Sequence, residues 1–290
     1  MPLTPPRTLS PSKVSAFTDC ALAFRFSAID KVPEPPSIPA TKGTLVHAAL
    51  ERLFALPPEQ RTREAAGSCL DEAGTQIRTD PDFTGLALDE AAEADFFADA
   101  AVLLDHYFDL EDPTTINPIG LELMLEVPIA GVALRGIIDR LELDADGELV
   151  VTDYKTGRAP SERQEQHRLD GVRFYAFLCE QLFGKRPARV QLLYLRDPVA
   201  IIAVPTEQSL RGLRTKVGAI WQAIEKACAA DDFRPRPGPL CNWCAFKPYC
   251  PAHGGDPATA PSAAVDPPVD PAVPVATPVA VAVTIGSPAA

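Results

Sequence analysis

Nothing in this sequence is long and apolar enough to cross a membrane: no run approaches the roughly 20 apolar residues that a spanning helix needs. The opening residues, Met1-Pro2-Leu3-Thr4-Pro5-Pro6-Arg7, have no apolar stretch of the kind a secretory signal carries. A cytoplasmic protein without membrane partners is expected. There is no G-x-x-x-x-G-K-[ST] stretch, so no helicase motor is expected within the chain. Internal repeats are absent too. Positive charge is in the minority: 27 Lys and Arg stand against 39 Asp and Glu, leaving a net charge of −12 over 290 residues. That balance excludes a protein that coats nucleic acid by bulk electrostatics, though not a groove with local Arg and Lys. Cysteine is scarce, with seven residues, and in a reducing compartment those are metal ligands or buried apolar groups rather than disulfides.

What is present is enough for a core. Hydrophobic residues make up 46% of the chain, and the length suits one large domain or two small ones. Residues 1–8 read as a loose arm. Ser10, Pro11, Val14, Phe17 and Leu22 mark a first helix, with Ser10 as its cap and Pro11 in its first turn. Residues 32–40 are proline-rich and read as a loop. From Thr44 to Leu56, Leu45, Val46, Ala49, Leu50, Leu53 and Phe54 recur at helical spacing. Another long helical pattern runs from Leu86 to Leu110. Residues 57–115 thus form an all-helical insertion. Strands are expected at Leu121–Ile129, Arg189–Leu195 and Val199–Val204, and helices at Ser161–Phe183 and Ser209–Ala229. From Pro257 the chain is Ala, Pro and Val with few charges, so residues 254–290 read as a disordered tail.

The densest chemistry lies in Gly136-Ile137-Ile138-Asp139 and Leu149-Val150-Val151-Thr152-Asp153-Tyr154-Lys155-Thr156-Gly157. Both runs are aliphatic and β-branched, and Asp144-Ala145-Asp146-Gly147-Glu148 between them carries an Asp-Gly turn signal, so a β-hairpin is expected. Adjacent strands lie about 4.8 Å apart, so Asp139 and Asp153 at matched ends can share one hard cation. Asp153 and Lys155, two residues apart, leave the same face of a strand. An Asp-x-Lys on a strand is often only a solvated ion pair. Here both acids end apolar runs where exposed charge is not expected, and Thr156-Gly157 stops the strand directly after the lysine. Two acids, a cation and a lysine are what metal-assisted phosphodiester hydrolysis uses.

Three cysteines cluster as C-x2-C-x5-C: Cys241, Cys244 and Cys250. Thiolates so spaced can fill three corners of one metal centre, with His253 or Cys20 as the fourth. Thiolates alone do not choose between zinc and an iron–sulfur cluster. Cys69, Cys179 and Cys228 stand isolated in helical patterns and read as core thiols.

Taken together these residues resemble the RecB-family exonucleases of the PD-(D/E)XK nuclease superfamily, a group that includes the RecB and AddB nuclease domains and the CRISPR-associated RecB-like exonucleases. The resemblance covers residues 9–253. It rests on Leu9-Ser10-Pro11-Ser12 leading to Cys20 and Phe24-Arg25-Phe26, on Gly43-Thr44-Leu45-Val46-His47 with Leu50-Glu51, on the two hairpin motifs, and on the terminal cysteines, in the family's order. It implies an α/β fold: a restriction-endonuclease-like core with a mixed central sheet flanked by helices. It implies a metal-dependent DNA exonuclease acting on single-stranded or free ends in repair and recombination. His47, Asp139, Asp153 and the Tyr154 carbonyl would hold Mg²⁺ or Mn²⁺, and Lys155 would orient the attacking water or stabilise charge on the scissile phosphate. Without that resemblance, His47 on its apolar helix reads as a core residue. Cys20 would join Cys241, Cys244 and Cys250 around a [4Fe-4S] cluster that staples the first helix to the C-terminal end, leaving His253 a bystander. The family's Gln four residues before Tyr175 is missing. Gly171 stands there, and Gln166 is out of register. Tyr175 would still touch the DNA backbone, with Arg173 assisting. Two alternatives follow: a non-catalytic or partner-activated iron–sulfur subunit of a helicase–nuclease complex, or an endonuclease of the same superfamily.

Overall fold

The structure, a computed structural model, describes residues 2–129, 131–160 and 162–261, and for 162–170 the backbone only. Of the tail expected over residues 254–290, residues 262–290 lie outside the described residues, as does the side chain of Gln166. One mixed sheet holds six strands: β1 (Thr8–Leu9), β2 (Pro118–Ile129), β3 (Val132–Leu143), β4 (Leu149–Lys155), β5 (Arg189–Tyr194) and β6 (Val199–Ala203). Their order is β1-β3-β4-β5-β6, with β2 paired to the other edge of β3. Pairs β2–β3, β3–β4 and β5–β6 are antiparallel, whereas β1–β3 and β4–β5 are parallel. The expected mixed α/β architecture is thus present.

Helices cover both faces. On one side lie α1 (Pro11–Asp19), α7 (Glu162–Phe183) and α8 (Glu207–Ala230). They share a core with the sheet through Val14, Val172, Phe174, Leu178, Val217 and Trp221. On the other side lie α3 (Ile38–Ala55), α4 (Arg63–Ile77) and α6 (Glu90–Tyr107), packed through Leu45, Leu50, Leu70, Leu103 and Tyr107 onto Tyr154 and Leu193. Two short helices, α2 (Ala21–Phe24) and α5 (Pro81–Thr84), fill corners. Residues 57–115 are helical throughout their described elements, as expected.

Four local expectations need correction. Residues 254–261, expected within the disordered tail, are structured: the Gly255 N–H donates to the Cys250 carbonyl at 2.9 Å, Pro257–Thr259 form a 3-10 turn capped by Asp256, and Ala260 packs against the core. Residues 1–8 are not a loose arm over their described length: Thr8 and Leu9 pair with Ala133 and Leu134, and the Leu3 N–H donates to the Cys228 carbonyl at 3.0 Å. Leu9 is fully buried, and that burial holds so short a strand in place. Residues 38–40, expected as loop, begin α3: Ser37 accepts from the Ala40 N–H, and Pro39 fits the first turn, where no amide donor is needed. Cys20 is not inside the first helix. It ends α1 in an extended conformation (φ −159°, ψ 109°) and the chain restarts as α2.

The β2–β3 pair is tied to α7 at one glycine. A Cβ on Gly136 would lie 2.8 Å from Leu178 Cδ1 and 3.1 Å from Tyr175 Cε1. Both neighbours sit in packed surroundings, so neither has free space to retreat into. Gly136→Ala is expected to lower stability by about 1–3 kcal/mol, the range for overpacking a core. A urea unfolding midpoint unchanged from the wild type would show that α7 does not press on β3 there.

Candidate active site

The β3–β4 ladder runs from Leu143↔Leu149 to Arg140↔Thr152. The next residues along each strand are Asp139 and Asp153, so the hairpin does set the two acids opposite one another. There the strands part, and the Asp139 side chain bridges the opening. Its Oδ2 accepts the Tyr154 N–H at 2.6 Å. Asp153 is ion-paired with Lys155 through Oδ2, and the Tyr175 hydroxyl of α7 hydrogen-bonds the same carboxylate. Asp139, Asp153, Lys155 and Tyr175 therefore meet in one place, at the end of the sheet.

His47 arrives from α3 on the far side. Its Nε2 lies 3.1 Å from the Tyr154 carbonyl oxygen, so Nε2 carries the hydrogen and Nδ1 presents a lone pair. That lone pair lies 3.6 Å from Asp139 Oδ1 and 3.8 Å from Glu122 Oε1. Burial lowers the His47 pKa despite the nearby carboxylates, which keeps the ring neutral. The Tyr154 carbonyl, expected as a metal ligand, accepts the His47 Nε2–H.

Glu122 was not among the expected residues. It lies on β2 opposite Asp139, in left-handed backbone (φ 43°) just past a register shift between Pro118 and Gly120. A non-glycine residue in that region is strained, and such strain with a bulge commonly re-aims one side chain. Leu121 packs toward the helical layer and Leu123 toward the opposite core, so the strand turns over at Glu122. No period-2 pattern announces this. The only sequence signal is an acid within an otherwise aliphatic strand, Leu121-Glu122-Leu123.

Among the described residues, His47, Glu122 and Asp139 form the one group of at least three ligand-type side chains whose donor atoms all lie within 4.8 Å of one another. The donor set fits a hard divalent cation. Three carboxylates face one ammonium. Burial, with the Asp139 charge beside it, pushes the Glu122 carboxyl up to about 7. Burial and the neighbouring Asp153 likewise hold Asp139 well above the usual carboxylate range. A neutral imidazole lone pair aimed at two carboxylate oxygens is repulsive unless a carboxyl proton or a cation lies between them.

The cysteines meet at a second place. Cys20 and the turn region 239–253 bring Cys20, Cys241, Cys244 and Cys250 to the wall of one cavity of about 770 Å³. Cys20 Sγ accepts the Arg236 N–H, and Cys241 Sγ the Gly238 N–H, each at 3.4 Å. Burial, with the other three thiols adding to it, raises the Cys244 pKa. His253 lines the same cavity but is exposed. Cys69, Cys179 and Cys228 are buried core thiols, as expected. At Gly171 a Cβ would meet nothing within 4 Å, so packing does not require the glycine that replaces the family's Gln.

Comparison with known proteins agrees with this geometry. The family model described as the PD-(D/E)XK nuclease superfamily matches residues 8–251. The chain belongs to the PD-(D/E)XK nuclease superfamily, whose members are generally divalent-metal-dependent nucleases. It is similar to the Gene 69 protein of Mycobacterium phage D29, 25% identical over 272 residues, covering 83% of this chain and 96% of that protein. The Gene 69 protein of Mycobacterium phage L5 is 28% identical over 134 residues, covering 45% of this chain and 44% of that one. Among solved structures, an exonuclease candidate from Eubacterium rectale superposes with a TM-score of 0.54 at 12% identity, covering 82% of this chain and 87% of that one. That likeness shows a shared fold. No described helix is long and apolar enough to cross a membrane.

The raised Glu122 carboxyl sets a pH dependence. In the unfolded chain it titrates near 4.5, and in the metal-free fold at about 7. The fold holds a proton that the unfolded chain has released, so this stability is fully present below about pH 4.5 and is lost as the pH rises through about 7. In chelator, the Tm is expected to fall between about pH 5 and about pH 8, and Glu122→Gln to flatten that fall. A metal-free Tm that rises over this interval would contradict the assignment.

Proposed function

We propose that this chain is a metal-dependent DNA exonuclease that hydrolyses phosphodiester bonds from single-stranded ends in repair and recombination. Mg²⁺ or Mn²⁺ is held by His47, Asp139, Asp153 and the Tyr154 carbonyl, and Glu122 joins them. The observation that carries this reading is the convergence of His47 Nδ1, Glu122 and Asp139 within 4.8 Å, beside the Asp153–Lys155 pair. When bound, the cation supplies Lewis-acid neutralisation of phosphate charge. Lys155 keeps its proton: the paired Asp153 raises its pKa against the lowering effect of burial. It therefore offers a permanent positive charge to the scissile phosphate and a donor that orients the attacking water. The Tyr175 hydroxyl restrains Asp153 and, as the family resemblance implies, would touch the DNA backbone. Exonuclease action is supported by the fold shared with the Eubacterium rectale exonuclease candidate.

A [4Fe-4S] cluster on Cys20, Cys241, Cys244 and Cys250 completes the proposal. Four thiols on one cavity wall support it, as do the N–H donors to two of the sulfurs. Sulfurs around a single tetrahedral zinc would stand about 3.8 Å apart, and among the described residues no three of these thiols come within 4.8 Å of one another. The second reading, a subunit activated by a helicase partner, is favoured by one observation: Trp243 and Leu240, beside these cysteines, are 79% and 61% exposed.

End-labelled linear single-stranded DNA with Mn²⁺ and anaerobically purified protein tests the main reading. The wild type should release mononucleotides or short oligomers, Asp153→Ala nothing, and Lys155→Ala should be slower by about 10²–10³-fold. Cleavage of circular DNA would turn the reading to an endonuclease. No cleavage by the wild type with its cluster intact would move it to the partner-activated subunit. For the cluster, about four iron and four acid-labile sulfide per chain are expected, with both lost in Cys250→Ser. Stoichiometric zinc without sulfide would overturn it.

A further inference from the structure

The face of the sheet that packs on α3, α4 and α6, the layer from which His47 also comes, carries a buried charge that the hydrolytic reaction does not use. Arg140, next to Asp139 on β3, is fully buried. Its Nε donates to Glu142 at 2.6 Å. Nη1 donates to the Tyr154 hydroxyl at 2.8 Å, and Nη2 to both Glu111 oxygens at 3.0 and 2.9 Å and to Thr152 Oγ1 at 3.1 Å. Its guanidinium lies 4.6 Å from the centre of the Phe54 ring. Gln191 closes the network, donating to Glu111 at 2.6 Å and to Thr152 at 2.8 Å. Desolvating an arginine this completely is costly, and apolar residues of similar volume would hold these layers together at least as well. The residue therefore needs a reason other than adhesion.

Tyr154 supplies one. Its ring lies in the helical layer, set edge-on between His47 and Tyr107 with each centroid 5.9 Å away. Its backbone lies in the active site, where the N–H donates to Asp139 and the carbonyl accepts from His47. Anchoring the phenol therefore fixes the peptide units that two of the metal-holding side chains grip. We propose that Arg140 and the Tyr154 hydroxyl are positioning residues: from within the helical layer they set the distance between Asp139 and His47. Glu111 and Tyr107 come from the helical segment 57–115, which makes that segment part of the site's support. The inference rests on the metal-site reading above, but its geometric core does not depend on which metal binds.

Two substitutions separate positioning from simple stability. Tyr154→Phe removes one oxygen and keeps the ring, while Arg140→Lys keeps the charge but loses the guanidinium fork. Phe83→Leu, in the helical core against Phe96 and Phe97, serves as a control that lowers stability alone. Two quantities are read on the full chain: hydrogen exchange of the Tyr154 amide without metal, and Mn²⁺ affinity by calorimetry. Tyr154→Phe is expected to speed that exchange and to weaken Mn²⁺ binding by about 10–100-fold, the range for groups that orient metal ligands. Arg140→Lys should do the same, and Phe83→Leu neither. Exchange and affinity both unchanged in Tyr154→Phe would overturn the proposal, as would equal losses in Phe83→Leu. If the wild type takes up no Mn²⁺ yet the Tyr154 amide still responds, the metal reading falls and the positioning role stands.

Discussion

Repulsion sets the terms for this molecule. Glu122, Asp139 and Asp153 are brought from three strands to one end of a sheet, and a neutral imidazole lone pair is turned toward two of them. Such an arrangement destabilises the metal-free fold, and the surrounding structure has to hold it closed. Hence the acids sit within aliphatic strands packed on both faces, and a strained residue and a register shift are tolerated on β2. The Tyr154 peptide is gripped from both sides. The single ammonium in reach, Lys155, offsets part of the excess charge, and the remainder is what a divalent cation would neutralise.

Legibility followed locality. The hairpin was readable because aliphatic alternation, an Asp-Gly turn and an Asp-x-Lys all lie within about 25 residues of one another. Its register then places Asp139 opposite Asp153 with no further information. His47 is different. On periodicity it is one more residue on an apolar helix, and only the family's motif order points to it. Glu122 was not legible at all. What makes it functional is a backbone reversal that no hydrophobic period encodes, in a strand whose outward acids look alike: Glu126, four residues on, pairs with Arg135 at the surface. The start of α3 was hidden for another reason, since prolines that usually signal loop here serve in a helix's first turn.

The helical segment 57–115 looks from the sequence like an elaboration on a nuclease core. In the fold it has a second aspect. Arg61, almost fully buried, donates to the carbonyls of Phe54, Leu56, Pro113 and Ile116 and so closes the segment's two ends on each other. Its guanidinium and that of Arg140 both contact the Phe54 ring. A continuous set of buried cations and rings therefore runs from the base of the segment to strands β3 and β4.

The short strand β1 bears on the order in which the chain acquires its structure. Thr8 and Leu9 precede their partners Ala133 and Leu134 by 125 residues (133 − 8), and the carbonyl that receives the Leu3 amide belongs to Cys228. The β1 pairing has to wait until β3 has been made, and the Leu3 contact until α8 has. Contacts of such sequence separation slow folding, because loop-closure entropy is lost before they form. A chain cut before β3 would leave Leu9 with no buried place to occupy.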